Sequence, residues 1–164
     1  VPNRGFLPMI DLVSVDPRGA VVAGDPLVAV RDAGAVRVSD FVYRGDARSP
    51  SEIFSEGFNP WGSDTNLLAH AEGNPSTNFV STSKSPNIAR SPEFVGEGDY
   101  VYTVLGREHG VDVNAILGLN SPYPHELEIA FPNGVMSRDV FGARRVGPGN
   151  KLVGPFIRNP GFEK

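Results

Sequence analysis

Glycine and proline interrupt this chain so often that long helices and long strands have no room to form. Among its 164 residues are 19 glycines and 15 prolines, which is well above average usage. Apolar clusters separate these breakers, and 40% hydrophobic residues are enough to build one core. We therefore expect a single domain of many short elements joined by turns, with more strand than helix.

The composition also excludes several kinds of chemistry. No cysteine is present, which removes disulfides, thiolate nucleophiles and thiolate zinc sites. The three histidines, His70, His109 and His125, are not spaced as zinc ligands, and no calcium-type loop occurs, so we expect no metal. A net charge of -4 disfavours nonspecific nucleic-acid binding. No run approaches the roughly 20 apolar residues of a membrane span, so we expect no membrane partner.

The two ends of the chain differ from its middle. Residues 1–40 match no motif, and we expect an N-terminal lead-in that packs on, or links to, one domain at residues 41–164. Within this lead-in we expect two short strands and a turn, at residues 21–23, 27–30 and 32–34. From residue 147 onward, Gly-Pro pairs predict a loop-rich tail. Because Val1 stands where a methionine would start a gene product, we expect a fragment of a longer protein.

Turn residues and helix caps divide the middle into alternating strands and helices. Strands are expected where β-branched and aromatic residues concentrate, at residues 41–45, 79–83, 100–105, 127–131 and 139–146. Short helices are expected at residues 50–56, 65–72, 86–89 and 113–117, after the capping residues Ser49, Ser63 or Asp64, Ser85 and Asp112. A glycine follows each of these helices except the third. This order predicts an α+β domain with mostly antiparallel strands.

Three polar features, far apart in the sequence, suggest chemistry. Arg44 comes late in a predicted strand, a Ser-Thr-Ser run occupies residues 81–83, and Glu126 and Glu128 are two residues apart. Residues i and i+2 of a strand project to the same face, so the two carboxylates are expected side by side. Carboxylates this close repel each other unless a cation or hydrogen-bond donors offset them, and functional sites often contain such pairs. Taken singly, each feature is also common on ordinary surfaces.

Taken in order, these segments resemble the cholera- and pertussis-type bacterial mono-ADP-ribosyltransferase toxins. The run Tyr-Arg-Gly-Asp-Ala-Arg-Ser-Pro at residues 43–50 is similar to their first catalytic region. Leu-Leu-Ala-His at residues 67–70 and Phe-Val-Ser-Thr-Ser at residues 79–83 are similar to their histidine helix and Ser-Thr-Ser strand. Pro-His-Glu-Leu-Glu at residues 124–128 resembles the Glu-x-Glu end of their target-recognition loop. Three motifs in the family's order are far more specific than any one of them.

The resemblance implies an ADP-ribosyltransferase-type fold, with two packed, mostly antiparallel sheets flanked by short helices. It implies NAD+ as substrate, cleaved at the nicotinamide–ribose bond through an oxocarbenium-like transition state that fixed negative charge stabilises. Glu128 matches the catalytic glutamate, and Arg44 matches the arginine that holds the phosphate–ribose part of NAD+. Ser81 matches the serine that orients the glutamate. Thr82 and Ser83 complete this cofactor-side motif and are expected to hold the strand and the following loop.

Three more positions are implied on the cofactor side. Gly45 is expected to let the nicotinamide amide approach the backbone, where a side chain would obstruct it. His70 matches a histidine near the nicotinamide ribose, although a half-buried helix histidine with a satisfied hydrogen bond is an equal alternative. Arg48 is expected either to contact the adenine-side phosphates or to form an ion pair with Asp46.

The acceptor side depends on Glu126. In the resembled family, Glu-x-Glu accompanies modification of arginine, and Gln-x-Glu accompanies other acceptors such as asparagine or a nucleobase. A second carboxylate can attract a cationic guanidinium and take its proton, so the resemblance implies arginine on a target protein. Tyr123 is the candidate for contact with the acceptor, its alternative being loop packing. The other readings are an NAD+ glycohydrolase, a non-catalytic binding module and, disfavoured by charge, transfer to nucleic acid.

The cholera- and pertussis-type toxins use a disulfide and a secretion signal, and this sequence shows neither. We therefore expect a secreted or injected effector domain of a larger delivered protein, acting in the cytoplasm of a target cell. Its expected partners are a target protein of unknown identity and an immunity or inhibitor protein in the producing cell.

Overall fold

The computed structural model describes residues 14–15, 21–22, 37–38 and 40–164. Its strands, in chain order, are β1 Ser14–Val15, β2 Val21–Val22, β3 Arg37–Val38, β4 Phe41–Asp46, β5 Phe79–Ser83, β6 Tyr100–Leu105, β7 Gly110–Asp112, β8 Glu128–Pro132, β9 Val140–Val146 and β10 Leu152–Arg158. Its α-helices are α1 Pro50–Glu56, α2 Leu67–Ala71, α3 Pro86–Ala89 and α4 Val113–Leu117. Short 3-10 helices occupy Gly118–Asn120, Pro124–Glu126, Ser137–Asp139 and Pro148–Asn150. Of these described helices, none has the length and apolar character needed to cross a membrane.

Eight of the strands form one antiparallel sheet, which confirms the predicted α+β class. The order is β10-β9-β6-β4-β5-β8-β7-β3, and β1 pairs separately with β2. We expected two sheets, but hydrogen bonding joins the two halves through a single register pair between β4 and β5, Tyr43 with Ser83. Within the halves the ladders are longer, with six pairs between β4 and β6 and five between β5 and β8. The sheet therefore has a narrow junction at its centre.

Most helix boundaries follow from the predicted caps. At α1 the Ser49 hydroxyl accepts from the backbone N–H of Glu52, and Gly57 ends the helix with a positive φ of 71°. Ser85 caps α3 and Asp112 caps α4 in the same way, as the sequence predicted. These caps satisfy backbone groups that helices of four to seven residues would otherwise leave exposed.

The start of α2 differs from its prediction. The cap is Asn66, whose side chain accepts from the Ala69 N–H at 2.9 Å. Asp64, the expected cap, instead accepts from the Asn66 N–H at 2.9 Å and forms an isolated parallel bridge with Thr77. The helix therefore begins at Leu67 rather than at residue 65. This arrangement brings α2 beside the segment that leads into β5.

The C-terminal part was predicted as a loop-rich tail, and that prediction is wrong for residues 152–158. Residues Leu152–Arg158 form β10, the edge strand paired with β9. The register shifts between Val153 and Ile157, where Gly154 has a φ of 72°. Glycine and proline at positions 154 and 155 therefore mark a β-bulge on an edge strand rather than a loop.

Other boundaries moved less. The strand at residues 21–22 is present as β2, while residues 23, 27–30 and 32–34 lie outside the described residues. The three-residue strand β7 was not predicted, because its residues form no alternating pattern beyond one valine. Strands β8 and β9 begin one residue later than expected, at Glu128 and Val140.

The core holds the two halves of the sheet in place. One buried cluster joins α1 to the central strands and includes Val42, Ile53, Tyr102 and Ile129. A second packs α2 and α4 against β5 and β8, through side chains that include Leu67. Each fully buried side chain of this size contributes about 1.5–3 kcal/mol. Because both clusters rigidly position their strands, the polar residues at the central junction have fixed neighbours.

Candidate active site

Arg44 closes the junction between β4 and β5. Its Nη1 donates to the carbonyl oxygen of Ser81 at 2.8 Å, and its Nε donates to Asp46 Oδ2 at 3.2 Å. Burial lowers the pKa of Arg44 while the Asp46 carboxylate opposes that change, and a guanidinium remains charged at physiological pH. A side-chain hydrogen bond thus links the two strands beyond their one backbone pair, Tyr43 with Ser83.

Asp46 connects Arg44 to Arg48. Arg48 Nε and Nη2 donate to the two carboxylate oxygens of Asp46 at 2.9 and 2.8 Å. Burial disfavours the charge on Asp46, but hydrogen bonds from Arg48 and the charge of Arg44 outweigh it, so the pKa of Asp46 lies below its ordinary value. Both guanidiniums lie over the Phe58 ring, 5.2 and 5.5 Å from its centre. Arg48 therefore makes the expected ion pair, and its contact with phosphate stays a prediction.

His70, Ser81 and Glu128 form a hydrogen-bonded cluster. Ser81 Oγ donates to Glu128 Oε2 at 2.7 Å, and His70 Nε2 lies 2.9 Å from the same oxygen and 2.8 Å from Ser81 Oγ. The His70 and Glu128 side chains are only 9% and 11% exposed. On the other side of the ring, His70 Nδ1 is 2.6 Å from Thr77 Oγ1. The glutamate is therefore held by two partners, one of which is itself fixed by a third.

Thr77 is a member of this cluster that the sequence reasoning missed. It precedes β5 and carries no motif, but its bridge with Asp64 holds it near the start of α2. Helix α2 presents His70 in its last turn. Thr77 is only seven residues from His70 in the sequence. That spacing predicts a contact only if the chain between the two residues is known to turn back on itself.

Thr82 and Ser83 bond to backbone rather than into the cleft. Thr82 Oγ1 donates to the carbonyl oxygen of Ile129 at 2.8 Å, and Ser83 Oγ donates to that of Glu126 at 2.7 Å. The Ser83 hydroxyl also accepts from the Ser85 N–H at 3.1 Å. These contacts fit the expected holding of the strand and the following loop. A contact of either residue with a cofactor stays a prediction.

Glu126 and Glu128 do not lie on one strand, which corrects the expected geometry. Glu126 ends the 3-10 helix Pro124–Glu126, and Glu128 begins β8. Between them Leu127 adopts a left-handed conformation with a φ of 50°, which reverses the chain locally. The two carboxylates still line the same pocket. The turn at Leu127, and not the alternation of side chains along a strand, brings Glu126 there.

Glu126 belongs to an exposed group with Glu93 and His125. The ligand atoms of the three side chains all lie within 4.8 Å of one another. Burial, a hydrogen bond to Glu93 and the charges of Glu93 and Glu128 together raise the pKa of Glu126 to about 8. The same hydrogen bond lowers the pKa of Glu93. Near neutral pH the shared proton therefore resides on Glu126.

Such a group of donor atoms is also compatible with a cation. Glu93 and His125 are exposed, however, and exposed acidic groups are common without one. The carboxyl–carboxylate hydrogen bond satisfies both acids with a proton alone. We therefore interpret the group as hydrogen-bonded side chains at the mouth of the cleft.

Two adjoining pockets share Arg44 and Ser81. The first has a volume of about 80 Å³, and its lining includes Tyr43, Gly45, Thr82, Ser83, Ala89, Phe94, Glu126 and Glu128. The second has a volume of about 140 Å³, and its lining includes Asn59, Trp61, His70, Thr77 and Phe79. Together they make one cleft along the junction of the sheet. The cleft brings together all predicted site residues except Arg48 and Tyr123, which line neither pocket.

Gly45 lines the cleft and also meets α3. A Cβ atom at this position would overlap the carbonyl oxygen of Ala89 and lie 2.6 Å from Val95 Cγ1. Glycine is therefore required by the packing of α3 against β4, whether or not a ligand approaches it. Its expected contact with a nicotinamide amide stays a prediction.

Tyr123 lines neither pocket and lies beside His125. Its side chain is 48% exposed, and its ring meets that of His125 edge-on at 6.4 Å. Phe94 and Trp61 are exposed aromatic residues that do line the pockets, and sequence reasoning did not single them out. Both are large aromatic residues that belong to no apolar strand or helix pattern, and this could have marked them as candidates for a binding site.

The sheet and the cleft define an ADP-ribosyltransferase-type fold, and structural comparison bears this out. The structure of Scabin toxin from Streptomyces scabies in complex with NADH superimposes with a TM-score of 0.69, covering 81% of this chain and 86% of that one at 24% identity. The chain belongs to the Scabin-like family, whose model matches residues 42–162.

Sequence relatives are toxins and ADP-ribosyltransferases, which confirms the predicted relationship. Pierisin from Pieris brassicae is 32% identical over 72% of this chain, and the matched polypeptide of cholera enterotoxin from Vibrio cholerae is 31% identical over 65%. The chain spans 16% of the former and 50% of the latter. Chelt, an NAD(+)--arginine ADP-ribosyltransferase from Vibrio cholerae, is 32% identical over 61% of this chain. The match covers 20% of the length of Chelt. A guanine-specific ADP-ribosyl transferase from Streptomyces coelicolor is 27% identical over 62%, and the chain spans 49% of it.

Proposed function

We propose that this chain is an NAD+-dependent mono-ADP-ribosyltransferase, the toxin or effector domain of a longer bacterial protein. One observation carries the proposal: Glu128 is held by Ser81 and His70 at the side of a cleft whose junction is closed by Arg44. The names of the relatives, and the NADH in the Scabin complex, support NAD+ as the substrate.

The proposed reaction begins with cleavage of the bond between nicotinamide and ribose. The electron pair of that bond leaves with nicotinamide, and positive charge develops on the ribose. The Glu128 carboxylate, already fixed by two hydrogen bonds, stabilises this charge without having to reorganise. Arg44 provides a half-buried guanidinium, which stays charged at physiological pH, and it binds the anionic part of NAD+.

For the acceptor we propose arginine on a target protein. Glu126 lies in the same pocket as Glu128, and as a carboxylate it attracts a guanidinium and takes its proton. The arginine-specific relative Chelt, at 32% identity, supports this assignment. The target protein, an inhibitor in the producing cell and action in the target-cell cytoplasm belong to the same proposal.

A guanine base is the second candidate acceptor, and the state of Glu126 favours it. With its pKa raised to about 8, mainly by burial, Glu126 is largely neutral at pH 7. A neutral carboxylic acid offers one O–H donor and one carbonyl acceptor, as a glutamine amide offers N–H and carbonyl groups. The guanine-specific Streptomyces relative supports this reading. Water as the acceptor would make the chain an NAD+ glycohydrolase.

The test is a product analysis of the purified chain with NAD+. We expect nicotinamide release without an acceptor, and an ADP-ribosyl adduct by mass spectrometry when agmatine, a small guanidine, is added. Guanosine in a parallel reaction measures the second candidate, and free ADP-ribose alone in every reaction would leave only hydrolysis. The Glu128→Ala variant is the matched control, and equal nicotinamide release by that variant would contradict the proposal.

A further inference from the structure

Glu93 lies outside the three motifs but reaches the acceptor side of the cleft. It stands in the segment between α3 and β6, one residue before Phe94, which lines the pocket with Glu126. Glu126 comes from the 3-10 helix Pro124–Glu126, about thirty residues later in the chain. Two separate segments of the chain therefore place a carboxyl group each at one point.

The contact between these groups is direct. The side chains of Glu93 and Glu126 are hydrogen-bonded, and their oxygens, with the imidazole of His125, lie within 4.8 Å of one another. His125 Nε2 is 3.6 Å from Glu93 Oε2. Two carboxyl groups this close favour sharing one proton, because two full negative charges would repel each other.

We propose that Glu93 is a positioning residue that holds Glu126 across the mouth of the cleft and thereby determines which acceptor the enzyme uses. This inference rests on the proposed function of the cleft. With Glu93 present, Glu126 offers a neutral acid suited to an uncharged partner such as a purine base. Once the shared proton is lost, the two carboxylates form a site for a guanidinium cation.

The proton balance of arginine modification follows from this arrangement. Entry of a guanidinium displaces the shared proton to solvent. The bond between ribose C1′ and nicotinamide then breaks, with its electron pair leaving on nicotinamide, and a bond forms between C1′ and a guanidinium nitrogen. The proton on that nitrogen passes to Glu126, which regenerates the singly protonated pair. One proton is released per turnover, as the overall reaction requires.

The charged groups around Glu126 on the described elements are few. Glu93 faces it from the segment after α3, His125 from its own 3-10 helix, and Glu128 from β8. Arg44, on β4, is the cation that lines the same pocket. The ammonium group of Lys84, which follows β5, is engaged by Asp112. Because Glu93 and Glu128 are both acidic, each favours retention of the proton on Glu126.

The variant Glu93→Gln tests the proposal, with Glu97→Gln as its matched control. Glu97 is an exposed acid in the same segment and lies outside both pockets. Its replacement by glutamine changes the net charge by the same amount as Glu93→Gln but leaves the cleft unchanged. Transfer to agmatine is measured against pH, together with NAD+ hydrolysis in the absence of acceptor. Because Glu93 raises the pKa of Glu126, we expect Glu93→Gln to move the acidic limb of agmatine transfer down by roughly one pH unit.

At pH 7 the ratio of agmatine to guanosine modification should rise about fivefold in Glu93→Gln, as more Glu126 ionises. Hydrolysis profiles should coincide for the wild type and both variants. The role of Glu93 would be overturned if the acidic limb of agmatine transfer in Glu93→Gln stayed where it is in the wild type. It would also be overturned if the pH profile of hydrolysis, or that of Glu97→Gln, moved by the same amount. If EDTA shifted the acidic limb of agmatine transfer, the proposal would also be overturned, because a metal ion rather than a shared proton would then hold the carboxylates together. If the wild type neither transfers nor hydrolyses, the proposed function itself fails.

Discussion

The two sides of the cleft are built differently. One side, the donor wall, consists of Arg44, His70, Ser81 and Glu128. The other, the acceptor rim, consists of Glu93, Phe94, Tyr123, His125 and Glu126. Every side chain of the donor wall bonds to another member or to its backbone, and His70 and Glu128 are about one-tenth exposed. On the rim, Glu93 and His125 are exposed and are held by each other and by Glu126.

This difference separates a fixed function from an adjustable one. A buried, fully bonded cluster loses several contacts when one member changes, so its geometry is constrained. An exposed rim on short loops tolerates substitution at little cost to the fold. We infer that the donor wall provides the NAD+ chemistry, whereas the acceptor rim can differ between arginine- and guanine-modifying relatives.

The largest effect is expected from Glu128→Gln on the donor wall. The substitution keeps the shape of the side chain but removes the charge that, in the proposed reaction, stabilises the developing ribose cation. We expect nicotinamide release to fall about 10²–10³-fold, with and without agmatine, because both reactions pass through that cation. The measurement is steady-state nicotinamide release, and circular dichroism checks the fold. If transfer fell while hydrolysis persisted, Glu128 would belong to the rim instead.

A selective effect is expected from Glu126→Gln on the rim. Glutamine cannot take a proton from a guanidinium, so agmatine transfer should fall about 10²-fold. Hydrolysis should stay within about threefold of the wild type, because the donor wall is untouched. Both rates come from one chromatographic separation of ADP-ribose and ADP-ribosylagmatine. Equal loss of the two activities would contradict the division between wall and rim.

The sequence predicted the donor wall better than the rim, for a physical reason. Arg44, Ser81 and Glu128 lie on strands whose alternation and flanking turns are readable, and strand pairing brings them together. Glu93 and Phe94 lie in a segment without periodicity, so no local pattern indicates where their side chains point. Their position depends on how α3 packs on β4.

Local conformation explains the remaining differences. Leu127 adopts a left-handed conformation that separates Glu126 from β8. Leucine rarely adopts this conformation, so the sequence did not predict it. Glycine and proline at residues 154 and 155 predicted a loop, although a bulged edge strand accommodates both. The α+β class and the order of motifs were predictable because they depend on composition and spacing. The single pair joining β4 and β5 was not, since register is a tertiary property.

Gly45→Ala tests where wall and rim meet. The added methyl group would overlap the Ala89 carbonyl oxygen, so α3 must shift away from β4. We expect the free energy of unfolding to decrease by about 1–3 kcal/mol, measured by urea denaturation. Gly96→Ala is the control, because the nearest atom to its Cβ would be Asp99 Oδ2 at 4.0 Å. Equal stability of the two variants would show that α3 is not packed as tightly as described.

The smallest effect is expected from Thr77→Val, directly behind the donor wall. Valine keeps the volume but removes the hydroxyl that lies 2.6 Å from His70 Nδ1. His70 then loses the partner that fixes its ring and tautomer, while its contacts with Ser81 and Glu128 remain. We expect hydrolysis and agmatine transfer to fall together by about three- to tenfold, leaving their ratio unchanged. Thr103→Val in β6, outside both pockets, should change neither rate. A change in the ratio would mean that the histidine acts on the acceptor, and the wall would then extend into the rim.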